Sequence, residues 1–167
     1  ESGKGLKEMK RVTKIYEHPY YQECLKRIEK AEKDRIFCCH DMQHFLDVAR
    51  LAYIFSVERG YAVPKAQIYG AALLHDIGKW QQYEEGTPHE MASAVIAERF
   101  LEETEFTEEE KEGILKAILE HRKKPPKTSA LSEILYDADK ASRNCFLCKA
   151  KDNCNWDTKK KNLEIRY

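Results

Sequence analysis

Residues 71–79 read Ala-Ala-Leu-Leu-His-Asp-Ile-Gly-Lys, and this segment is the most informative part of the chain. Together with Ile68, its apolar residues recur at helical spacing and place His75 at the end of an apolar helix face. Asp76 follows directly, and a buried aspartate is costly unless it is paired or bound to a metal. The segment therefore predicts a helix that brings two ionisable groups into the core for a chemical purpose.

Helical periodicity extends over most of the chain and predicts an all-α fold. Apolar residues recur at spacings of three or four, as at Val48, Ala52 and Phe55, and no segment alternates like a strand. Six helices are predicted, over residues 19–33, 41–59, 65–77, 88–103, 107–122 and 129–143. The residues after 144 are rich in Cys, Lys and Asn and are expected to be irregular.

Particular residues mark several helix ends. Thr107 with Glu110 three residues later predicts a capping box, and Thr87 with Glu90 predicts a second one around Pro88. The remaining predicted boundaries are Gly60, Gly78 and the Pro125-Pro126 pair.

Length and charge limit the classes of function. The chain has 167 residues, which suits one domain, and we expect residues 1–167 to form a single domain. Its 29 basic and 29 acidic residues cancel, which argues against non-specific binding to nucleic acid or to membranes. No apolar run reaches the length of a membrane span and the N-terminus does not resemble a signal peptide, so we expect a cytoplasmic protein. The oligomeric state stays open.

Ionisable residues extend the apolar faces of several predicted helices. His44 opens one face, His121 ends another and Asp139 follows a third, in addition to the His75-Asp76 pair. A single such histidine is usually a structural residue, but several on separate helices are typical of a metal site. Imidazoles and carboxylates together can neutralise a divalent ion and leave positions for water or phosphate oxygens.

Five segments, in this order, carry a family resemblance. They are His44 before Val48-Ala49, ALLHDIGK at 72–79, His89-Glu90, AILEH at 117–121 and DADK at 137–140. On these segments the chain resembles the HD-domain metal-dependent phosphohydrolases, from about residue 36 to residue 143. The resemblance implies an all-α HD-domain bundle of about six helices, with residues 144–167 as a cysteine-rich appendage.

The resemblance also implies a set of metal ligands. One divalent cation would be held by His44, His75, Asp76 and Asp139. Asp137 is the rival for the last position, and Asp139 is preferred because the closing motif of the family usually reads Ala-Asp. Mixed His/Asp sites accept several metals, so the choice among Mn, Fe, Mg, Ni, Co and Zn stays open.

Three further residues are expected to act on the substrate. His89, His121 and Lys79 are candidates to neutralise charge on phosphoryl oxygens, while Asp76 both binds the metal and orients the attacking water. In the two-metal branch of the family, histidines on these helices help to bind a second ion. Here Arg122 follows His121 where a second histidine would stand, which favours phosphate binding or proton transfer. Structural histidines are the remaining alternative.

The cysteines suggest a separate site. Cys145, Cys148 and Cys154 have spacing that suits zinc or iron–sulfur ligands, and Cys38, beside Cys39, is the nearest source of a fourth thiolate. A structural metal site is the favoured interpretation, with zinc ahead of an iron–sulfur cluster. Reduced thiols and a redox-sensing disulfide are the alternatives.

The sequence therefore predicts a phosphatase or nucleotide pyrophosphohydrolase that acts on a nucleotide or another small phosphate ester. Its specificity is expected to lie in loops at 80–87 and 123–128, with Trp80 and Tyr83 packing rather than stacking on a base. A nucleic-acid partner is disfavoured, although a short basic run at 159–161 follows Trp156. The alternative function is a non-catalytic HD-type sensor that binds metal and nucleotide.

Overall fold

The structure is a computed structural model and describes residues 3–123 and 128–167. In this part of the chain every regular element is helical, which confirms the predicted fold class. The α-helices are α1 (Gly3–Glu17), α2 (Pro19–Ala31), α3 (Met42–Glu58), α4 (Lys65–Leu74), α5 (Lys79–Glu85), α6 (His89–Glu103), α7 (Glu108–Glu120) and α8 (Ala130–Ala141). A short 3-10 helix, Cys145–Leu147, and turns follow α8.

Two of these helices are absent from the sequence-based prediction. Helix α1 buries only Val12 and Ile15, too few positions for a clear periodic signal, and it is held by packing against α2 and α4. Helix α5 covers residues 80–85 of the predicted specificity loop at 80–87, so the expectation of a loop conformation is wrong for these residues. It has seven residues and ends at Gly86 in the left-handed conformation, with a φ of 76°.

Helix α4 forms the centre of the core. It buries seven of its ten residues, which lie on several sides of the helix, and this identifies it as a core helix. It packs against α1, α3, α6, α7 and α8. Because α4 is surrounded in this way, the residues that follow its last turn enter the interior of the bundle.

The turn after α4 differs from the prediction. The helix ends at Leu74, and residues 75–78 form turns where the prediction continues the helix to residue 77. Gly78 has a φ of −87° and is therefore not a left-handed helix stop. A Cβ atom there would lie 2.4 Å from the backbone nitrogen of Ser93 and 2.6 Å from the carbonyl carbon of Ala92. Glycine is required at this position because α6 crosses directly over the backbone.

Other predicted boundaries agree with the structure. The Thr107 side chain accepts the Glu110 N–H at 3.2 Å, and Glu110 accepts the Thr107 N–H at 2.8 Å, so this capping box is confirmed. Gly60 follows α3 with a φ of 68°, as a helix stop should. The Pro125-Pro126 boundary lies outside the described residues.

The capping box predicted at Thr87 is wrong. Helix α6 begins at His89, and Pro88 occupies the N-cap position without a side-chain cap bond. Pro88 has an extended ψ of 127°, which moves the start of the helix by one residue. The His89 N–H donates instead to Gln82 Oε1 at 3.3 Å, so α5 supplies the acceptor.

Within residues 3–123 and 128–167, none of the helices has the length and apolar character needed to cross a membrane.

Candidate metal centre

Ionisable side chains from five helical segments converge at one point inside the bundle. His44 lies in the first turn of α3, His75-Asp76 follow α4, His89 begins α6, His121 follows α7 and Asp139 lies in α8. Asp139 is partly exposed and the other five are buried. Six residues from five separate parts of the sequence are thereby brought within reach of one another.

Four of these residues form a first group. One ligand atom from each of His44, His75, Asp76 and Asp139 lies within 4.8 Å of the others. The His75 Nε2 atom is 3.1 Å from Asp76 Oδ2, and the His44 Nε2 atom is 3.3 Å from Asp139 Oδ1. Asp137, the rival ligand, lies away from the group and pairs with Arg59 at 2.8 Å. The structure thus brings together the four residues that the family resemblance names.

Asp76 also belongs to a second group. Its Oδ1 atom lies 3.3 Å from the Nε2 atoms of both His89 and His121, while Oδ2 faces His75 and His44. The Nε2 atoms of His89 and His121 are 3.2 Å apart. The two oxygens of one carboxylate therefore serve two clusters, and each cluster can hold a metal ion.

Hydrogen bonds at Nδ1 define the tautomers of three histidines. In His75 and His121, Nδ1 lies 2.6 Å and 2.5 Å from the carbonyl oxygen three residues earlier, and it must donate. In His89, Nδ1 lies 2.6 Å from Gln82 Oε1 and donates likewise, because this contact is shorter than the 3.3 Å to the Lys79 ammonium. In their neutral forms, all three rings direct the Nε2 lone pair towards Asp76.

Two polar atoms of the cluster have no hydrogen-bond partner within the described part of the chain. Among the described residues, His75 Nε2 and Asp76 Oδ1 are buried and unsatisfied, although buried polar atoms are normally paired. The lone pairs of His89 and His121 face each other and a carboxylate, which is unfavourable unless a cation or a proton lies between them. Imidazole nitrogens and carboxylate oxygens are the donors that divalent transition metals accept. The residues present therefore fit a metal centre.

Charge and burial shift the pKa values of the cluster. Burial lowers the pKa of His75, but the Asp76 and Asp139 carboxylates outweigh burial and raise it to about 10. Burial disfavours the charged form of Asp76, yet His75 and His121 hold its pKa well below the usual range. Burial lowers the pKa of His89 to about 3, against the attraction of Asp76. In the metal-free chain, His75 thus carries the proton that balances a buried carboxylate.

A buried chain of hydrogen bonds lies behind the centre, and no sequence motif predicts it. Glu32 is 5% exposed, and its carboxylate accepts the His40 N–H at 2.7 Å and the Tyr83 hydroxyl at 2.8 Å. The carboxylate also bonds His40 Nδ1, and His40 Nε2 lies 3.8 Å from Asp76 Oδ2. Burial disfavours the charged form of Glu32, but these bonds keep its pKa below the usual value. Glu32 therefore orients an imidazole towards a candidate ligand.

The centre opens into a cleft of about 620 Å³. The cationic side chains of the lining are Arg35, Lys79, Arg122, Lys140 and Arg143. Among the described lining residues, Asp76 and Asp139 are the acidic ones, and both belong to the metal centre. Lys79 Nζ lies 3.3 Å from His89 Nδ1, and burial lowers the pKa of its amine. The cleft suits an anionic ligand.

The aromatic residues have different positions. Trp80 is 5% exposed, and the Arg27 guanidinium covers its ring at 3.5 Å, so it packs as predicted. The Tyr83 hydroxyl is engaged by Glu32. Trp156, which follows the cysteine-rich segment, lies in the wall of the cleft. The predicted specificity loop at 123–128 lies mainly outside the described residues.

The candidate cysteine ligands lie beside this cleft. Cys38, Cys145, Cys148 and Cys154 line an adjoining cavity of about 160 Å³. Cys38, Cys154 and Arg143 line both spaces. The structure thus brings together the four cysteines of the predicted second site.

Comparison with known proteins agrees with this geometry. The family model described as HD domain matches residues 42–144. An uncharacterized protein of Clostridium beijerinckii is 48% identical over 151 residues, which are 90% of this chain and 93% of that protein. Ribonuclease Y of Nitratidesulfovibrio vulgaris is 30% identical over 125 residues, 75% of this chain and 22% of the enzyme. The crystal structure of a predicted HD superfamily hydrolase from an uncultured Thermotogales bacterium has a TM-score of 0.55 and 30% identity, and the match covers 72% of this chain and 67% of that one.

Proposed function

The chain belongs to the HD-domain family, and we propose that it is a metal-dependent phosphohydrolase acting on a nucleotide or another small phosphate ester. Family membership and the likeness to a predicted HD superfamily hydrolase support hydrolysis as the reaction class. The observation that carries the proposal is the convergence of the Nε2 atoms of His75, His89 and His121 on the two oxygens of Asp76. Two buried, unsatisfied atoms in this cluster support a bound cation.

The proposal includes places for two ions. His44, His75, Asp76 and Asp139 would hold one, and Asp76 with His89 and His121 would hold the other. Bound ions would supply a Lewis acid for the phosphoryl group and a water of lowered pKa. The ring orientations favour the alternative in which His89 and His121 bind a second ion. Both nitrogens of each ring are directed at protein atoms, so neither ring points a nitrogen into the cleft towards a phosphate.

The cationic residues of the cleft would bind the phosphate. Lys79 lies beside His89, and Arg122 lies on the rim with its guanidinium 3.4 Å from Glu90. Lys140 Nζ is 2.8 Å from Asp139 Oδ2, which holds that carboxylate in place. Fixed positive charge near the phosphoryl oxygens would neutralise the charge that develops on them during hydrolysis.

Trp156 and His40 have supporting roles in the proposal. Trp156 offers an aromatic ring in the cleft wall, against which a base could stack. His40, oriented by Glu32, would fix the Asp76 carboxylate that both ligand groups share. Glu32 and His40 are therefore proposed as positioning residues.

The proposed function is tested by product analysis with mass spectrometry. The chain loaded with Mn²⁺ is incubated with nucleoside mono-, di- and triphosphates and with small phosphate esters. Asp76→Asn keeps the shape of the side chain but removes the shared charge, so turnover is expected to fall on the order of 10³-fold. Asp137→Asn is the matched control, because Asp137 pairs with Arg59 outside the centre, and it should retain turnover.

Two results would contradict the proposal. Equal turnover in wild type and Asp76→Asn would place the activity outside this centre. Metal bound by wild type and lost in Asp76→Asn, with no product from any substrate, would support the non-catalytic sensor instead.

A second candidate is hydrolysis of a phosphodiester in RNA. It is favoured by the 30% identity to ribonuclease Y, although the matched part is 22% of that enzyme. A short single-stranded RNA is therefore added to the substrate panel. Cleavage of RNA by wild type and not by Asp76→Asn, without turnover of mononucleotides, would favour this candidate.

A further inference from the structure

The cysteine cavity joins two distant parts of the chain. Cys38 comes from the segment before α3, and the other three thiols come from the segment after α8. Phe37 and Trp156 contribute to the cavity wall. All of the thiols are free, and the Cys148 N–H donates to the Cys145 carbonyl at 3.1 Å in a tight turn. Four cysteines thus line a cavity of about 160 Å³, and no disulfide joins them.

The cysteine thiols are not grouped as closely as the ligands of a single ion would be. The sulfurs of a tetrahedral zinc site lie about 3.8 Å apart, because each Zn–S bond is about 2.3 Å. Within residues 3–123 and 128–167, the groups of three or more metal-binding side chains within 4.8 Å of one another are those at the His/Asp centre. The cysteine thiols form no such group. They are nevertheless near neighbours, since Cys145, Cys148 and Cys154 add to burial in raising the pKa of Cys38.

We infer that Cys38, Cys145, Cys148 and Cys154 bind a [4Fe–4S] cluster in this cavity. The four irons of such a cluster occupy alternate corners of a cube, which spreads the four thiolates to about 6 Å apart. The cluster fills the space between the thiols, and each thiol loses its proton when its sulfur bonds to iron. The absence of a close thiol group and the cavity between the four cysteines are both accounted for in this way.

The charges around the cavity agree with this assignment. A [4Fe–4S] cluster with four thiolate ligands is anionic, and nearby cations stabilise it. Arg143, Lys151 and Lys161 line the cavity, and its described lining contains no acidic residue. Lys161 Nζ also donates to the Lys151 carbonyl at 2.6 Å, which holds two parts of the segment together.

Apolar packing supplies little of the order of this segment, which is also held by hydrogen bonds from the Asn162 side chain to the Lys140 and Arg143 carbonyls. From residue 144 onwards, only Cys145 and Ala150 of the described hydrophobic residues are buried, each 8% exposed. So small an apolar surface contributes little to stability, and a metal cluster would supply further free energy. Cys154 and Trp156 also line the hydrolytic cleft, so the cluster would order one of its walls.

The proposal is tested directly by measuring the iron and the acid-labile sulfide that the chain binds. The full chain is reconstituted anaerobically with sulfide and with equal amounts of ferrous and ferric iron, which match the oxidation level of a [4Fe–4S]²⁺ cluster, and Mössbauer spectra are recorded. About four sulfides per chain are expected. They cannot come from the His/Asp centre, because its imidazole and carboxylate ligands bind metal ions without sulfide. Cys148→Ser should lose most of the sulfide. Cys39→Ser is the matched control, because Cys39 adjoins Cys38 but does not line the cavity, and it should keep the full amount.

Further variants and outcomes separate the two metal sites. Asp76→Asn should keep its sulfide even where it loses its other metal and its turnover. Stoichiometric zinc without sulfide, a disulfide among these cysteines, a metal-free cavity, or equal sulfide loss in Cys39→Ser and Cys148→Ser would each overturn the proposal. If Cys148→Ser does not fold, the sulfide count and the Mössbauer spectrum of the wild-type chain decide.

Discussion

The His/Asp centre and the cysteine cavity adjoin the same cleft but are held in place by different means. The ligands of the centre come from helices packed around α4, and carbonyl oxygens of the same helices orient His75 and His121. The cysteines after α8 lie in turns with little buried apolar surface. Packing therefore forms the first site before any ion binds, whereas the second is expected to depend on its ligand for order.

The largest effect is expected from a substitution that disrupts the packing around the His/Asp centre and leaves its ligands unchanged. In Gly78→Ala, the new methyl group would collide with the backbone of Ser93 and Ala92, and α6 would have to shift. The free energy of unfolding of the metal-free chain should fall by about 3 kcal/mol, as measured by urea denaturation. His89 moves with α6, so metal affinity should fall too.

Gly113→Ala is the control for this variant. Gly113 lies in α7, and a Cβ atom there would meet nothing within 4 Å. This substitution should be neutral or stabilise the chain by up to about 1 kcal/mol, because alanine favours a helix. Equal stability in Gly78→Ala and the wild type would contradict the view that packing preforms the centre.

A smaller effect on metal affinity is expected from a substitution of Glu32, which lies behind the ligands. Glu32→Gln removes the charge that orients His40 and should weaken metal binding at the His/Asp centre by about 10–100-fold, as measured by competition with a chelating dye. Glu29→Gln, at an exposed position in the last turn of α2 just before Glu32, should bind metal like the wild type. Sulfide content should not change in either variant. Unaltered metal affinity in Glu32→Gln would show that His40 does not support the centre.

The smallest effect, taken per pH unit, is a pH dependence confined to the His/Asp centre. The pKa of His75 rises from 6.5 to about 10 in the folded, metal-free chain. The stabilisation by that proton is complete below pH 6.5 and is lost as the pH rises through 10. A metal ion must displace the proton, so its affinity should increase by up to about tenfold per pH unit within this window.

Calorimetric titration in buffers of different ionisation enthalpy measures the proton released. Asp137→Asn should show the same dependence as the wild type, because its carboxylate lies beside Arg59. An affinity independent of pH between 7 and 9 would mean that no proton is displaced from the cluster.

Local sequence patterns predict much of this molecule. Helical periodicity identifies six of the eight described α-helices, and the paired His75-Asp76 with His44 and Asp139 indicates the first ligand group. Helix α5 is missed because seven residues are too few for a periodic signal. Gly78 is predicted to be a helix stop, whereas the structure shows that it allows a close contact with the backbone of α6. Both roles favour glycine, so the sequence does not distinguish them.

Amino-acid order alone specifies six of the eight described α-helices, the chemical types of the ligands and the cysteine spacing, because each is a property of neighbours along the chain. Packing decides the rest. Only the folded bundle directs the two oxygens of Asp76 at two histidine groups, places Glu32 against His40 and brings Cys38 to the other three cysteines. These arrangements depend on distances between separate helices and turns, which the burial of α4 fixes and no local pattern records.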